Sequence, residues 1–429
     1  MVVALPMLVL LVFLLGGVPI AVALAGSGML GIWLITGDLA KVLNIVGLVP
    51  FSSVADYQLT TIPMFILMAY FSASSGLARD LYNAAAAWLS HIKGGLAIAT
   101  VFACGIFGAM SGASTAAASV MSRIAMPEMR RHGYSDELGA GAIGVGSTLD
   151  ILIPPSIAMV IYGVATQTSI GKLLVAGVIP GILVGVLLAV MIYVWVRVSP
   201  RHAPEAFHTP REERIESLKR VWPSLLLIFL VLLMLYTGIA TPTEIGALGA
   251  FLAAVIGALF GRLTFPEGIE ALKQTIRTSA MIFLILIGAT IFGYYMTLSR
   301  IPQEVVALVG GMNLNRWVVI IGIVVAYFVI SMFMDEIPLL LLTLQLTFPL
   351  ITSLGFDPIW FGVLSMMMVA MGLVFPPVGL LAFVVSATAG VDLMKVYKGC
   401  TILMLALVVT TVLLMIFPEI ALWLPRTMR

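Results

Sequence analysis

Charge is scarce in this 429-residue chain: 10% of its residues are Asp, Glu, Lys or Arg, against 61% hydrophobic. Soluble domains carry about 25% charged and about 45–50% apolar residues, so the composition excludes a soluble globular protein and identifies an integral membrane protein. Cysteine is nearly absent. Cys104 and Cys400 are too few and too far apart for a disulfide framework, and both lie in apolar surroundings as small buried side chains. The four histidines (His91, His132, His202, His208) have no i, i+4 or carboxylate companions, which argues against a metalloenzyme and against enzymatic function generally. No phosphate loop of the GxxxxGK[ST] type is present, which disfavours direct ATP coupling, and a net charge of +2 without a polybasic run disfavours nucleic acid as a partner. The opening stretch lacks a basic n-region and a small-residue cleavage site, and reads as a retained span in the lipid bilayer.

What is present is about 20-residue apolar segments, enough for roughly ten to twelve passes. Polar breaks place spans near 1–16, 18–36, 58–76, 138–167 and 173–197, then 222–240, 243–260, 279–298, 359–389 and 400–420. Two further apolar stretches, 94–128 and 316–350, are too long for one helix. They are interrupted mid-way by "MSGAST" (110–115) and "FMDEIP" (333–338), and read as re-entrant hairpins whose tips are tolerable only where protein or water satisfies the backbone.

The punctuation repeats at an offset of 222 residues: Pro127 with Pro349, Gly133 with Gly355, Pro154-Pro155 with Pro376-Pro377, Thr166 with Thr388, Gly177 with Gly399. Shared apolar composition would not match proline to proline. An internal duplication follows, with a first repeat over 1–200, a basic linker over 201–220 and a second repeat over 221–429. Arg123, Arg130, Arg131 and His132 in the first copy face uncharged residues in the second, such as Gln345, Thr352 and Ser353. Positive-inside bias then turns the two copies over relative to each other, with the linker and 262–277 cytoplasmic and both termini periplasmic; Arg426 and Arg429 run against the last assignment. The expected fold class is thus an all-α polytopic protein with an inverted-topology repeat, two re-entrant hairpins and two broken helices. Such folds belong to secondary transporters, with ion and substrate sites where the repeats meet. A scaffold with decayed repeats is the competing reading, and it leaves the paired breaks without a use.

Each Pro-Pro pair removes amide donors, so upstream carbonyls need other partners at the bilayer centre. A bare Na⁺ is one such partner. Ser111 and Ser114 on the first tip would complete a shell with the carbonyls of Asp150, Ile153 and Pro155; Ser331 would do so with Gly372, Phe375 and Val378. Simple kinks in two helices are the alternative. Intramembrane acids mark function by default, which singles out Asp150, Asp335 and Glu336 for ion coordination or proton coupling, with Asp335 facing inward and Glu336 either functional or capping its helix toward water. Arg300 is either a snorkelling anchor or a fork onto a substrate carboxylate. Thr166, Gln167 and Thr388 offer polar contacts or are satisfied in their own helices, and Tyr162 and Trp360 read as packing or belt residues. Segments 38–57 and 262–277 read as amphipathic helices lying along the interface or on a surface.

The stretches "FGAMSGASTAAAS" (107–119), "GSTLDILIPPSIAMVIYG" (146–163), "FMDEIPLLLLTLQLTFPLI" (333–351) and "MGLVFPPVGLLAFV" (371–384), within a resemblance covering essentially the whole chain, resemble the large membrane subunit of tripartite ATP-independent periplasmic (TRAP) transporters. The resemblance implies an elevator-type importer in the bacterial inner membrane, driven by sodium and needing no organic cofactor. Its partners would be a small four-helix membrane subunit and a periplasmic binding protein that delivers an organic anion such as a C4-dicarboxylate or sialic acid. By position it assigns sodium binding to Ser111, Ser114, Asp150, Ile153 and Pro155, and to Ser331, Gly372, Phe375 and Val378, with Asp335 nearby and Arg300 toward substrate; Thr166 and Thr388 join the expected substrate contacts on the residue-level reading alone. Asp150 stands where this family usually has glycine, Phe375 where threonine is common and Ser331 where glycine is common. A stand-alone carboxylate symporter or ion antiporter of related fold is the runner-up.

Overall fold

The computed structural model describes residues 4–206, 208–260, 262–312 and 314–428; Arg429 and the first three residues of the expected span 1–16 lie outside them. Among the described residues the chain is entirely helical, without a strand. Six helices among the described residues are long and apolar enough to cross a membrane, or seven if the pair Leu39–Val54 and Tyr57–Ser74, bent by 59°, is one span. Fewer full-length spans form than the ten expected, because several expected spans fall to shorter apolar helices. The spans 138–167 and 359–389 are each two half-helices around a Pro-Pro break: Asp136–Ser147 and Ile157–Thr166, then Pro358–Gly372 and Leu380–Ala389. Both Pro-Pro peptide bonds are cis.

The expected hairpins are helix–break–helix units. The first is Gly95–Ser111 and Ser114–Arg131, the second Arg316–Ser331 and Glu336–Ser353. The boundaries of Ser114–Arg131 and Glu336–Ser353 lie 222 residues apart at both ends, the offset that also aligns the prolines.

One reading of the linking segments needs correction. Residues 262–277 do not form a separate amphipathic helix; they run into the following span as the 35-residue Phe265–Ser299, about 52 Å long. A capping box starts it, Thr264 N–H and Oγ donating to Glu267 at 2.7 Å each, and no cap or proline interrupts it afterwards. Its counterpart Leu39–Val54 does stop, because Asp56 accepts from Gln58 N–H at 2.9 Å and starts a new turn. Within the linker 201–220, Arg211, Arg214, Lys219 and Arg220 lie on the helix Arg211–Thr237.

Packing between the halves is reciprocal. Ile20–Thr36 packs on Phe265–Ser299 while Thr61–Ser74 packs on Pro242–Leu259, and Ser114–Arg131 packs on Leu380–Ala389 while Glu336–Ser353 packs on Ile157–Thr166. The first crossing needs small residues: a Cβ on Gly288 would lie 2.4 Å from the Ala21 carbonyl oxygen, and one on Gly28 would lie 2.8 Å from Phe292 backbone. Tyr162 and Trp360 are packing residues rather than belt residues. Both are buried, Tyr162 donating to Pro358 O at 2.7 Å and the Trp360 indole to Leu414 O at 2.8 Å. At one end of this core Arg130 donates to Asp136 at 2.7 Å and to the carbonyls of Ala389 and Gly390 at 3.1 and 3.3 Å, tying the first helix pair to the C-terminus of the second broken helix.

Candidate functional site

The first tip turns on Gly112, whose φ of 58° favours glycine and whose N–H closes the preceding helix onto Gly108 O at 2.7 Å. A Cβ on Gly112 would sit 3.1 Å from the Pro155 carbonyl oxygen, so the tip lies directly against the first Pro-Pro break. Ser111 and Ser114 are buried there, as is Asp150, which the 3-10 turn Thr148–Ile151 presents to the tip. Ser114 Oγ lies 2.8 Å from Asp150 Oδ1 and 3.1 Å from Glu336 Oε2, joining the first tip, the first break and the second tip. Ile153 packs its side chain against Gly105 and Gly181.

The acids of the second tip divide the work, and Asp335 is not the inward one expected. Asp335 is the helix cap, its Oδ1 accepting from Glu336 N–H at 3.0 Å, and is only half-buried. Glu336 is the inward residue, 6% exposed and in contact with Ser114. The division has a local cause: a carboxylate at the cap position bends back to its own helix, and the next side chain is directed into the protein.

The second break meets its tip through Gly379 N–H, which donates to Met332 O at 3.0 Å. Ser331 is buried with its hydroxyl 2.9 Å from Phe328 O and 3.1 Å from Met368 O. Gly372 accepts from Phe375 N–H at 3.2 Å, and the Leu373 carbonyl, whose helical donor Pro377 removes, accepts instead from Leu381 N–H at 2.9 Å. The Phe375 ring packs against Phe328 with centroids 5.4 Å apart.

In each site a glycine on one element faces a polar residue on the other. In the first, Gly108 on the tip helix makes room for Asp150 on the break: a Cβ there would lie 2.5 Å from the Asp150 Cβ. In the second, Gly372 on the break makes room for Ser331 on the tip helix: a Cβ there would lie 1.8 Å from Ser331 Oγ. Asp150 and Ser331 are thus both accommodated by a glycine opposite.

Tyr397, which nothing in the sequence marked, donates to Val378 O at 2.7 Å and lies 3.0 Å from Pro377 O. It sits on Leu393–Ile416, and the equivalent position 222 residues earlier is Val175. Tyr397→Phe should lower stability by about 1–2 kcal/mol by leaving a half-buried carbonyl without its donor. An unchanged unfolding temperature in purified protein would show that the hydroxyl does not support the break.

The remaining candidates are not brought to the breaks. Thr166 and Thr388 lie near the far ends of Ile157–Thr166 and Leu380–Ala389, about 15 Å along each helix from its start. Thr166 is satisfied by Tyr162 O at 2.7 Å and Thr168 at 2.8 Å, and Gln167 donates to Val164 O at 3.0 Å. Arg300 is exposed with a φ of 57° at the joint between Phe265–Ser299 and Ile301–Gly311, and among the described residues no hydrogen bond links it to either tip. A cavity of about 640 Å³ lies elsewhere, lined by Asp80, Tyr82, Glu128, Glu213 and Arg220 among others.

Residues 7–420 match the family model of the tripartite ATP-independent periplasmic transporter, DctM component. The chain belongs to this family. It is 35% identical over 401 residues to the C4-dicarboxylate TRAP transporter large permease protein DctM of Pseudomonas aeruginosa, covering 93% of each chain. It is 32% identical over 415 residues to the ectoine TRAP transporter large permease protein TeaC of Halomonas elongata, covering 96% of each. The fold is similar to the crystal structure of the Alcanivorax borkumensis YdaH transporter, with a TM-score of 0.62 at 16% identity over 88% of this chain and 90% of that one. This is therefore a TRAP transporter large permease, a multi-pass component of a tripartite system, and its interrupted helices are features of a transporter.

Proposed function

We propose that this chain is the permease subunit of a sodium-driven importer in the bacterial inner membrane, taking up an organic carboxylate handed over by a periplasmic binding protein. A small membrane subunit completes the assembly, and both termini of the permease face the periplasm. The observation that carries the reading is the meeting of two helix tips and a Pro-Pro break at Ser114, where buried oxygens from all three converge and a cation would be held. The two helix–break–helix units are re-entrant and belong to two inverted copies of one fold; the shared offset of 222 residues and the reciprocal packing support this. One sodium ion binds at Ser111, Ser114 and the carbonyls of Asp150, Ile153 and Pro155. A second binds at Ser331 and the carbonyls of Gly372, Phe375 and Val378, with Tyr397 holding the last of these in place.

In the elevator cycle the tips and broken helices move as one body against the arms formed by Ile20–Thr36 with Phe265–Ser299 and Thr61–Ser74 with Pro242–Leu259. C4-dicarboxylates and ectoine, named for the relatives, both present a carboxylate, and Arg300 or the polar groups near Asp335 would receive one. Purified permease, reconstituted with its small subunit and binding protein, should accumulate substrate only under an inward sodium gradient. Equal uptake without the gradient would reject sodium coupling, and full uptake by the permease alone would favour a stand-alone carrier.

A further inference from the structure

The carboxylates of Asp150 and Glu336 meet across Ser114 without enough hydrogens to satisfy them. A hydroxyl has one hydrogen, yet Ser114 Oγ lies within hydrogen-bond distance of Asp150 Oδ1 and of Glu336 Oε2, at 2.8 and 3.1 Å. With both acids ionised, one of these contacts sets oxygen against oxygen with nothing between. The other Asp150 oxygen, Oδ2, is sealed from solvent without a well-aligned hydrogen bond, on a residue that is 1% exposed. Among the described residues no lysine, arginine or histidine forms an ion pair with either acid. Two buried negative charges without a counter-charge are not tolerated in such a place. A shared proton would supply the missing hydrogen at Ser114 but would leave Oδ2 unanswered. A cation answers both.

Position strengthens the case. Ser114 and Glu336 are 222 residues apart, the separation that pairs the prolines and the helix boundaries, so equivalent points of the two halves touch here. A single ion at this point is held by the first tip, the first break and the second tip together. The donors are all hard oxygens, and three side chains are too few for the six to eight ligands of Ca²⁺.

We propose that Asp150, Ser114 and Glu336 form a third, carboxylate-based site for a monovalent cation, sodium under the coupling reading above, in addition to the two sites built on the Pro-Pro breaks. The site exists because this chain has Asp150 where the equivalent position of its second half is Gly372. It rests on the sodium-coupled reading for the identity of the ion, and its test separates the two.

Radioactive sodium bound per full-length permease is counted at saturation, and thermal unfolding is followed in sodium chloride and in choline chloride of equal ionic strength. Asp150→Asn and Glu336→Gln should each bind one sodium fewer than the parent, with a correspondingly shallower rise of unfolding temperature with sodium. In choline both variants should unfold at or above the parent's temperature, because they remove like charges that no ion then separates. Asp150→Gly provides a second route if the asparagine is poorly accommodated. Equal sodium counts in parent and variants would overturn the third site while leaving the two-site reading intact. Equal destabilisation of the variants in both salts would also overturn it, showing that hydrogen bonding alone holds the pair. A parent that binds no sodium would overturn both readings.

Discussion

Gly372→Ala should cost about 3 kcal/mol or more of stability and remove most transport. The added Cβ would lie 1.8 Å from Ser331 Oγ, 2.6 Å from its Cβ and 2.7 Å from its carbonyl carbon. Overpacking a core usually costs about 1–3 kcal/mol, and this site belongs at or above the upper end because rotating the serine relieves only the first contact. Ser331→Gly in the same chain removes the first two clashes and leaves the third, so it should restore part of the loss. Recovery of folded yield and unfolding temperature, measured alongside uptake, is the check. If the single variant is as stable as the parent, the tip and the break are not in the contact described. If the pair shows no recovery, the complementarity between Ser331 and Gly372 is not what fixes the site. The same logic applies in mirror form to Gly108 and Asp150, where the glycine is on the tip helix.

These glycine–side-chain pairings show which parts of the site a sequence can carry. The tips and breaks were legible because serine, glycine and paired prolines stand out in an apolar chain, and because they recur at one offset. The departures at Asp150 and Ser331 were legible as departures. Their compensation was not, because Gly108 and Gly372 look like any other helix glycine until the opposing side chain is in place. Which of Asp335 and Glu336 caps the helix was not legible because capping depends on a one-residue register: the helix starts at Glu336, so its predecessor turns back to bond the backbone and the glutamate goes inward. Tyr397 was invisible because its partners lie about 20 residues earlier, across the break, and its own helix is otherwise ordinary. The join of 262–277 to the next span was missed for a related reason. Polar residues along a membrane surface suggest a boundary, whereas a helix ends only where something takes over its backbone groups, and after Thr264 nothing does until Arg300.

Gly399→Ala should be at least as damaging as Gly372→Ala, and its repeat mate Gly177 shows why recurrence alone does not explain it. A Cβ on Gly399 would lie 2.0 Å from the Glu137 carbonyl oxygen and 3.0 Å from Gly141 Cα; a Cβ on Gly141 would in turn lie 2.6 Å from Gly399 backbone. Two helices from opposite halves, Asp136–Ser147 and Leu393–Ile416, therefore cross with backbones in contact, and no side-chain rotation can admit a methyl group. The cost should reach about 3 kcal/mol or more, seen as loss of monodisperse protein or a large fall in unfolding temperature. Gly177 meets a different neighbour, the Leu152 carbonyl oxygen at 2.0 Å from its ideal Cβ, and Leu152 belongs to the first break rather than to a regular helix. Gly177→Ala should thus displace the break and weaken sodium dependence more than it weakens the fold, whereas Gly399→Ala should lose folded protein first. Identical behaviour of the two variants would mean that the glycines serve one shared packing role, and a Gly399→Ala protein as stable as the parent would mean that the two halves do not cross at this point.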